Sequence, residues 1–246
     1  MPKPISQASL TAIVLAFLLA FGTTTWLLRY EPLPDFGALD VPTKKQTFFA
    51  YLQPKIDAAN ETIAKDRLRL QALNADLPTR PPSWRQRRFI AALAADYDIV
   101  IDEPADYLAA STALLRRVDI IPPALVLIQA AKESGWGTSK FAMQGNNLFG
   151  QQCFVAGCGF VPTARLAGRS HEVARFDSVD EAVAAYLHNL NTHPRYQRLR
   201  EIRATQRANN EELTGSMLAD GLLAYSERGA DYVVEVKSMI RQNNLE

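Results

Sequence analysis

One carboxylate ends an apolar run in this chain: Leu125-Val126-Leu127-Ile128-Gln129-Ala130-Ala131-Lys132-Glu133, followed by Ser134-Gly135-Trp136-Gly137. Ile121-Pro122-Pro123 ahead of it is an extended breaker able to start a helix. The run is too short to cross a membrane, so it is expected to form a buried core helix with Glu133 at its lip. In the last turn of a helix a carboxylate faces the negative end of the macrodipole, and the indole of Trp136 is near enough in sequence to strip it of water. Both effects raise its pKa. A glutamic acid that stays protonated near neutral pH can give its proton to a glycosidic oxygen, which is the chemistry of acid-catalysed glycoside cleavage. Helix position alone equally suits a solvated glutamate closing a core helix.

The continuation, Ser139-Lys140-Phe141-Ala142-Met143-Gln144-Gly145-Asn146-Asn147-Leu148-Phe149 leading to Gly150, separates the two readings. Gln129-Ala130-Ala131-x-Glu133-Ser134-Gly135-Trp136-Gly137-Thr138-Ser139 followed by Asn146-Asn147-Leu148-Phe149-Gly150 resembles the glucosaminidase family of peptidoglycan hydrolases. The resemblance runs from about Pro122 to the C-terminus. Ahead of it, Tyr51-Leu52-x-Pro54-x-Ile56 and Asn60 look like the Bax-type envelope proteins that carry such a domain. It implies a lysozyme-like fold with Glu133 as catalytic acid.

An oxocarbenium-like transition state needs a second participant. In the family that Glu133 points to, a carboxylate from the β lobe is a candidate, but Gly159-Phe160-Val161-Pro162-Thr163-Ala164-Arg165 has no acid at the matching place. The nearest is Glu172, beside His171: either a base or stabiliser, or a strand residue paired with Arg175 or Arg169. Without a second carboxylate, the substrate's own 2-acetamido group can serve as nucleophile. Tyr196 matches an aromatic that the family keeps near the acid, where a phenol would hold the acetamido group or the attacking water; a core tyrosine is the alternative. Asn146 and Asn147 are expected to bind sugar or backbone, or to cap a loop. Trp136 and Phe149 stack on sugar faces or pack beside Glu133. Tyr225, in the closing segment Tyr225-Ser226-Glu227-Arg228-Gly229-Ala230-Asp231-Tyr232, is a further candidate for the substrate site.

These residues need a scaffold and a compartment. A chain of 246 residues holds one substantial core plus appendages. With 48% hydrophobic and 22% charged residues, disorder is excluded as the default. A net charge of +1 lacks the concentrated basic face that nucleic acid requires. Arg80, Arg85, Arg87 and Arg88 form a local cluster, either a contact for anionic lipid or wall polymer or a solvated linker. Between Lys3 and Arg29 no side chain is charged, and Ala8 to Leu28 as a helix spans roughly 30 Å, enough for a membrane. Ala20-Phe21-Gly22 is a mediocre cleavage site, and Trp26-Leu27-Leu28 continues beyond it. An uncleaved anchor is therefore expected rather than a signal peptide, with Trp26 and Tyr30 at the interface. Cys153 and Cys158 suit a hairpin disulfide in an oxidising periplasm, or stand as two free thiols. Lacking a second pair, and with His171, His188 and His193 in no ligand pattern, they give no zinc site.

Pro32, Pro34, Gly37 and Pro42 mark a tether. Thr43 to Leu73 reads as one long helix kinked at Pro54, Leu77 to Ser83 as a proline-rich hinge, and Trp84 to Asp96 and Ala105 to Arg116 as shorter helices. After Gly150 a small hairpin lobe is expected around Glu172 to Phe176, then helices at Val179 to Leu190 (capped by Asp177 or Ser178), Tyr196 to Ala208, Asn210 to Asp220 and Asp231 to Gln242. The expected architecture is mainly α (α+β): a lysozyme-like helical domain with a small β-hairpin lobe, preceded by a transmembrane helix and a long helix. The division is 1–30 anchor or signal segment, 31–83 tether and long helix, 84–246 catalytic domain. By resemblance, the function is hydrolysis of the β-1,4 bond after N-acetylglucosamine in peptidoglycan glycan strands, without cofactor or metal. The enzyme would hang from the inner membrane by a single pass with its catalytic domain in the periplasm. A lytic transglycosylase and a non-hydrolytic wall-binding scaffold are the alternatives. Nothing in the sequence fixes an oligomeric state.

Overall fold

A 36-residue helix, α1 (Val41–Asp76), begins where Asp40 accepts the N–H of Thr43 and Pro42 sits in the first turn. The computed structural model describes residues 32–101, 106–162 and 170–246. The expected anchor, Ala8 to Leu28, lies outside the described residues; among those described, no helix is long and apolar enough to cross a membrane. Pro54 lies inside α1, where it removes one backbone donor while the helix continues because neighbours cover it. Those neighbours bury Phe48, Tyr51, Leu52, Ile56, Leu70 and Leu73.

The proline-rich segment after α1 is a tight reversal. It delivers α2 (Trp84–Asp96), whose start is fixed by a reciprocal capping box between Ser83 and Gln86. Arg85 and Arg88 lie against the exposed ring of Trp84, and Arg87 lies over Tyr107. Asp106 caps α3 (Tyr107–Arg117). Leu70 and Leu73 of α1, Ile90 and Leu93 of α2 and Leu114 of α3 close one apolar cluster. Each such side chain stabilises the fold by about 1.5–3 kcal/mol. Residues Asp35–Glu246 form a single compact unit.

Helix α4 (Pro123–Ser134) is buried from Ala124 to Ala131 on every side, because α1, α8 and α9 pack around it. Asn60 of α1 fastens its entry, donating to the Ile121 carbonyl at 2.8 Å and accepting the Ile121 N–H at 3.1 Å. A short α5 (Lys140–Gly145) follows, then β1 (Gln152–Cys153), β2 (Gly159–Phe160) and β3 (Glu172–Ala174). The sheet is antiparallel in the order β1-β3-β2, so the expected hairpin gains an outer strand. Gly159 is required there: a side chain would meet the Val173 carbonyl at 1.9 Å.

Ser178 caps α6 (Val179–Thr192), and α7 (Gln197–Ala208) follows a short 3-10 turn at Pro194–Tyr196. The helix expected over Asn210 to Asp220 shrinks to α8 (Gly215–Leu218) and a 3-10 turn at Ala219–Gly221. Gly215 there lies against the Leu125 backbone and Gly221 against Leu199, where any side chain would clash. The last helix is α9 (Ala230–Gln242).

Candidate active site

The backbone after Glu133 is wound to the left three times in succession, at Gly135 (φ 59°), Trp136 (φ 61°) and Gly137 (φ 78°). A tryptophan in that region costs about 1–2 kcal/mol. The turn holds because buried Ser134 donates to the Ala130 carbonyl at 2.6 Å and accepts the Gly137 N–H at 2.7 Å. Helix α4 is thus stopped sharply with Glu133 in its last turn.

Four tyrosines from separate elements form a network of contacts that reaches this carboxyl through Tyr232. Tyr232 of α9 donates its hydroxyl to Glu133 Oε1 at 2.8 Å. The ring of Tyr225 stacks on Tyr232 with centroids 5.3 Å apart and meets Tyr196 at 6.0 Å. Tyr225 donates to the Phe149 carbonyl at 3.0 Å, and the Phe149 ring stacks on Tyr186 at 4.0 Å. Below them Gln129, wholly buried, accepts the Tyr186 hydroxyl and donates Nε2 to the Tyr232 oxygen at 2.9 Å.

Burial among these rings pushes the Glu133 pKa up; the Tyr232 hydrogen bond and the Lys132 charge oppose the rise, and the Glu235 charge adds to it. Glu133 as a whole is nonetheless an exposed residue, so this desolvation is partial. Glu235 itself is held by Lys132 and Arg228, each at 2.7 Å, and these contacts lower its pKa, the Lys132 hydrogen bond most. Burial raises the pKa of Tyr196, Tyr225 and Tyr232 above the ordinary phenol value, so the cluster keeps its hydroxyl protons.

Of the residues singled out from the sequence, Glu133, Tyr196, Phe149 and Tyr225 come together here. Others do not. The ring of Trp136 packs against Phe48 at 5.7 Å and Phe49 at 5.4 Å under the Lys45 ammonium. Asn147 gives both its N–H groups to the Gln151 and Ala174 carbonyls and accepts the Phe149 and Gln151 N–H groups, leaving nothing for a sugar. Asn146 is the left-handed cap of α5 and donates to the Phe176 carbonyl at 2.9 Å. Glu172 is buried in β3, its two oxygens accepting the N–H groups of Gly157 at 3.0 Å and Gly159 at 2.8 Å. Through these two bonds it fixes the loop that the Cys153–Cys158 disulfide closes. Joined to each other, those sulfurs are not metal ligands, although they lie within 4.8 Å of the Glu172 carboxylate.

Gln129, Tyr186 and Tyr232 were not foreseen as site residues. A signal existed for Gln129: it is an amide in an apolar helix, one turn before Glu133 and so on its face. Tyr186 and Tyr232 carry no comparable signal, because distance in sequence hides which phenols converge. A cavity of about 250 Å³ lies elsewhere, between α3 and α7, lined by Ile99, Arg116, Arg117, Gln197, Arg200 and Glu201. None of the residues around Glu133 lines it, and the chemistry does not point there.

Residues 109–245 match the glucosaminidase family model, described as mannosyl-glycoprotein endo-beta-N-acetylglucosaminidase. The chain is also similar to Protein bax of Escherichia coli (strain K12), 34% identical over 216 residues that cover 87% of this chain and 76% of that protein. No solved structure matches.

Proposed function

The chain belongs to the glucosaminidase family, and on that premise we propose that it cleaves the β-1,4 bond after N-acetylglucosamine in peptidoglycan, with Glu133 as general acid. The carrying observation is the Glu133 carboxyl itself, kept partly out of water by tyrosines and gripped at one oxygen by Tyr232. Such a group holds its proton toward neutral pH and gives it to the departing sugar oxygen as the glycosidic bond breaks.

The cation left on the sugar needs an electron pair. Glu172 is committed to Gly157 and Gly159, and Glu235 to Lys132 and Arg228. This favours the substrate's own 2-acetamido oxygen, which closes on the anomeric carbon and is displaced by water, Glu133 taking the water's proton in the return step. Tyr196 and Tyr225 would line the acetamido side, with Phe149 behind them. Trp136, with Phe49 and Lys45 beside it, stays a candidate for stacking on a more distant sugar. The Cys153–Cys158 bond suits an oxidising compartment, in keeping with a periplasmic domain tethered by the N-terminal apolar segment.

The commitment of Glu172 and Glu235 to other partners equally suits a lytic transglycosylase, in which the glycan's own hydroxyl replaces water. Digestion of purified sacculi by the full chain separates the readings. Reducing N-acetylglucosamine ends support hydrolysis, anhydro-muramyl ends support transglycosylation, and an undigested wall leaves a binding scaffold. Glu133→Gln is expected to lower turnover by a factor on the order of 10² to 10⁴; unchanged turnover in a folded Glu133→Gln protein rejects the assignment.

A further inference from the structure

Gln129 is an amide with no exposure at all, in a helix otherwise apolar along its buried length. A polar group so buried is retained only with its partners matched. Its partners form a one-way chain. The Tyr186 hydroxyl donates to Gln129 Oε1, Gln129 Nε2 donates to the Tyr232 oxygen at 2.9 Å, and the Tyr232 hydroxyl donates to Glu133 Oε1 at 2.8 Å.

A phenol has a single proton. Since the Tyr232 oxygen already receives an N–H from Gln129, its own hydrogen is left to point at Glu133. We propose that Gln129 is a positioning residue: by making Tyr232 a fixed donor, it confines the acidic proton of Glu133 to Oε2. A proton on Oε1 would set two hydrogens between the same two oxygens. Oε2 accepts no hydrogen bond from the described residues and is the oxygen left for a glycosidic oxygen. The inference rests on the reading of Glu133 as acid and adds where its proton sits and what sets it there.

Other groups act on Glu133 only through their fields. Lys132 lies beside it on α4, and Glu235, bound by Lys132 and Arg228, on α9. Tyr186, Tyr196 and Tyr225 face it from α6, the turn before α7 and the segment before α9. Burial holds the phenols of Tyr186 and Tyr232 far above the usual range, so neither becomes an acceptor by losing its proton.

The test follows the Glu133 carboxyl carbon by NMR, in the full chain in detergent with ¹³C-labelled glutamate, as pH is varied without substrate. Its signal is identified by its loss in Glu133→Gln. Gln129→Met keeps the length but removes the amide, freeing Tyr232 to turn and accept from protonated Glu133. The midpoint is expected to move to higher pH. Tyr232→Phe removes the donor and is expected to move it the same way, and the double variant no further than Tyr232→Phe alone. Tyr186→Phe unpins the Gln129 oxygen, lets the amide turn over, and takes the place of Gln129→Met should that variant not fold. An unmoved midpoint in the folded variant, or shifts that add in the double variant, overturns the proposal. Midpoints that move as expected with no cleavage of sacculi remove the glycosidase reading and leave the proton assignment standing; cleavage with unmoved midpoints does the reverse.

Discussion

Glu133 is at once the reactive residue and a source of instability. Burial raises its folded pKa above the unfolded value, so the native state holds the proton more tightly than the unfolded chain. Below the unfolded pKa both states are protonated and nothing is lost; above the folded pKa the ionised carboxyl carries the full penalty. Glu133→Gln still accepts from Tyr232 but cannot ionise. Thermal or urea unfolding is therefore expected to show Glu133→Gln more stable than the parent at pH 7–8, by less than about 1 kcal/mol since the edge of the residue is solvated, and equal to it near pH 4. The rate should move oppositely. The parent's turnover falls as pH rises through the Glu133 pKa, and a pH–rate profile without that basic limb assigns the acid elsewhere.

Between elements, arginines do much of the joining. Arg203 of α7, with 1% of its surface exposed, donates to the Arg116 and Arg117 carbonyls at the end of α3 and to Asp119, Ile120 and Asn191. Asp119 also holds Arg67 and Arg207. Burial lowers the Arg203 pKa to about 10, so it stays charged under ordinary conditions. Removing it leaves several helix-end carbonyls without their donor while Asp119 keeps Arg67 and Arg207, and Arg203→Ala is expected to cost about 1–3 kcal/mol in denaturant unfolding. Arg203→Met should be milder if packing rather than pairing dominates. In the β lobe the Cys153–Cys158 bond closes a short loop that Glu172 already fixes. Loop entropy sets the stability lost on reduction at about 2 kcal/mol or less, read as a lowered midpoint in reductant with sacculus cleavage at 25 °C largely kept.

On the scale of the whole molecule, α1 is shared property. It packs on α3, α4 and α6, and its Phe48 and Phe49 support Trp136 beside the site. Asn60 ties it to the start of α4, the helix that carries Glu133. Because Asp35–Glu246 is one compact unit, calorimetry is expected to give a single unfolding transition, α1 melting with the rest. Two resolved transitions would mean that α1 and the turn behind it are a separate unit, and Asn60→Leu should then leave the upper one unmoved.

The pattern of residues sufficed for much of this. The apolar period and the Pro122-Pro123 start gave α4, the proline-rich breaker ending at Ser83 gave the start of α2, and the carboxylate after an apolar run singled out Glu133. Such signals are local: a period, a cap or a breaker acts within a few residues. Only the tertiary structure decided what surrounds the acid. It gave Trp136 to α1, Glu172 to the hairpin and Asn147 to the backbone, and it brought Tyr186, Tyr196, Tyr225 and Tyr232 from four segments to one carboxyl. The physical reason is that the Glu133 pKa and the direction of its hydrogen bonds depend on distances through space, which packing sets and spacing along the chain does not encode.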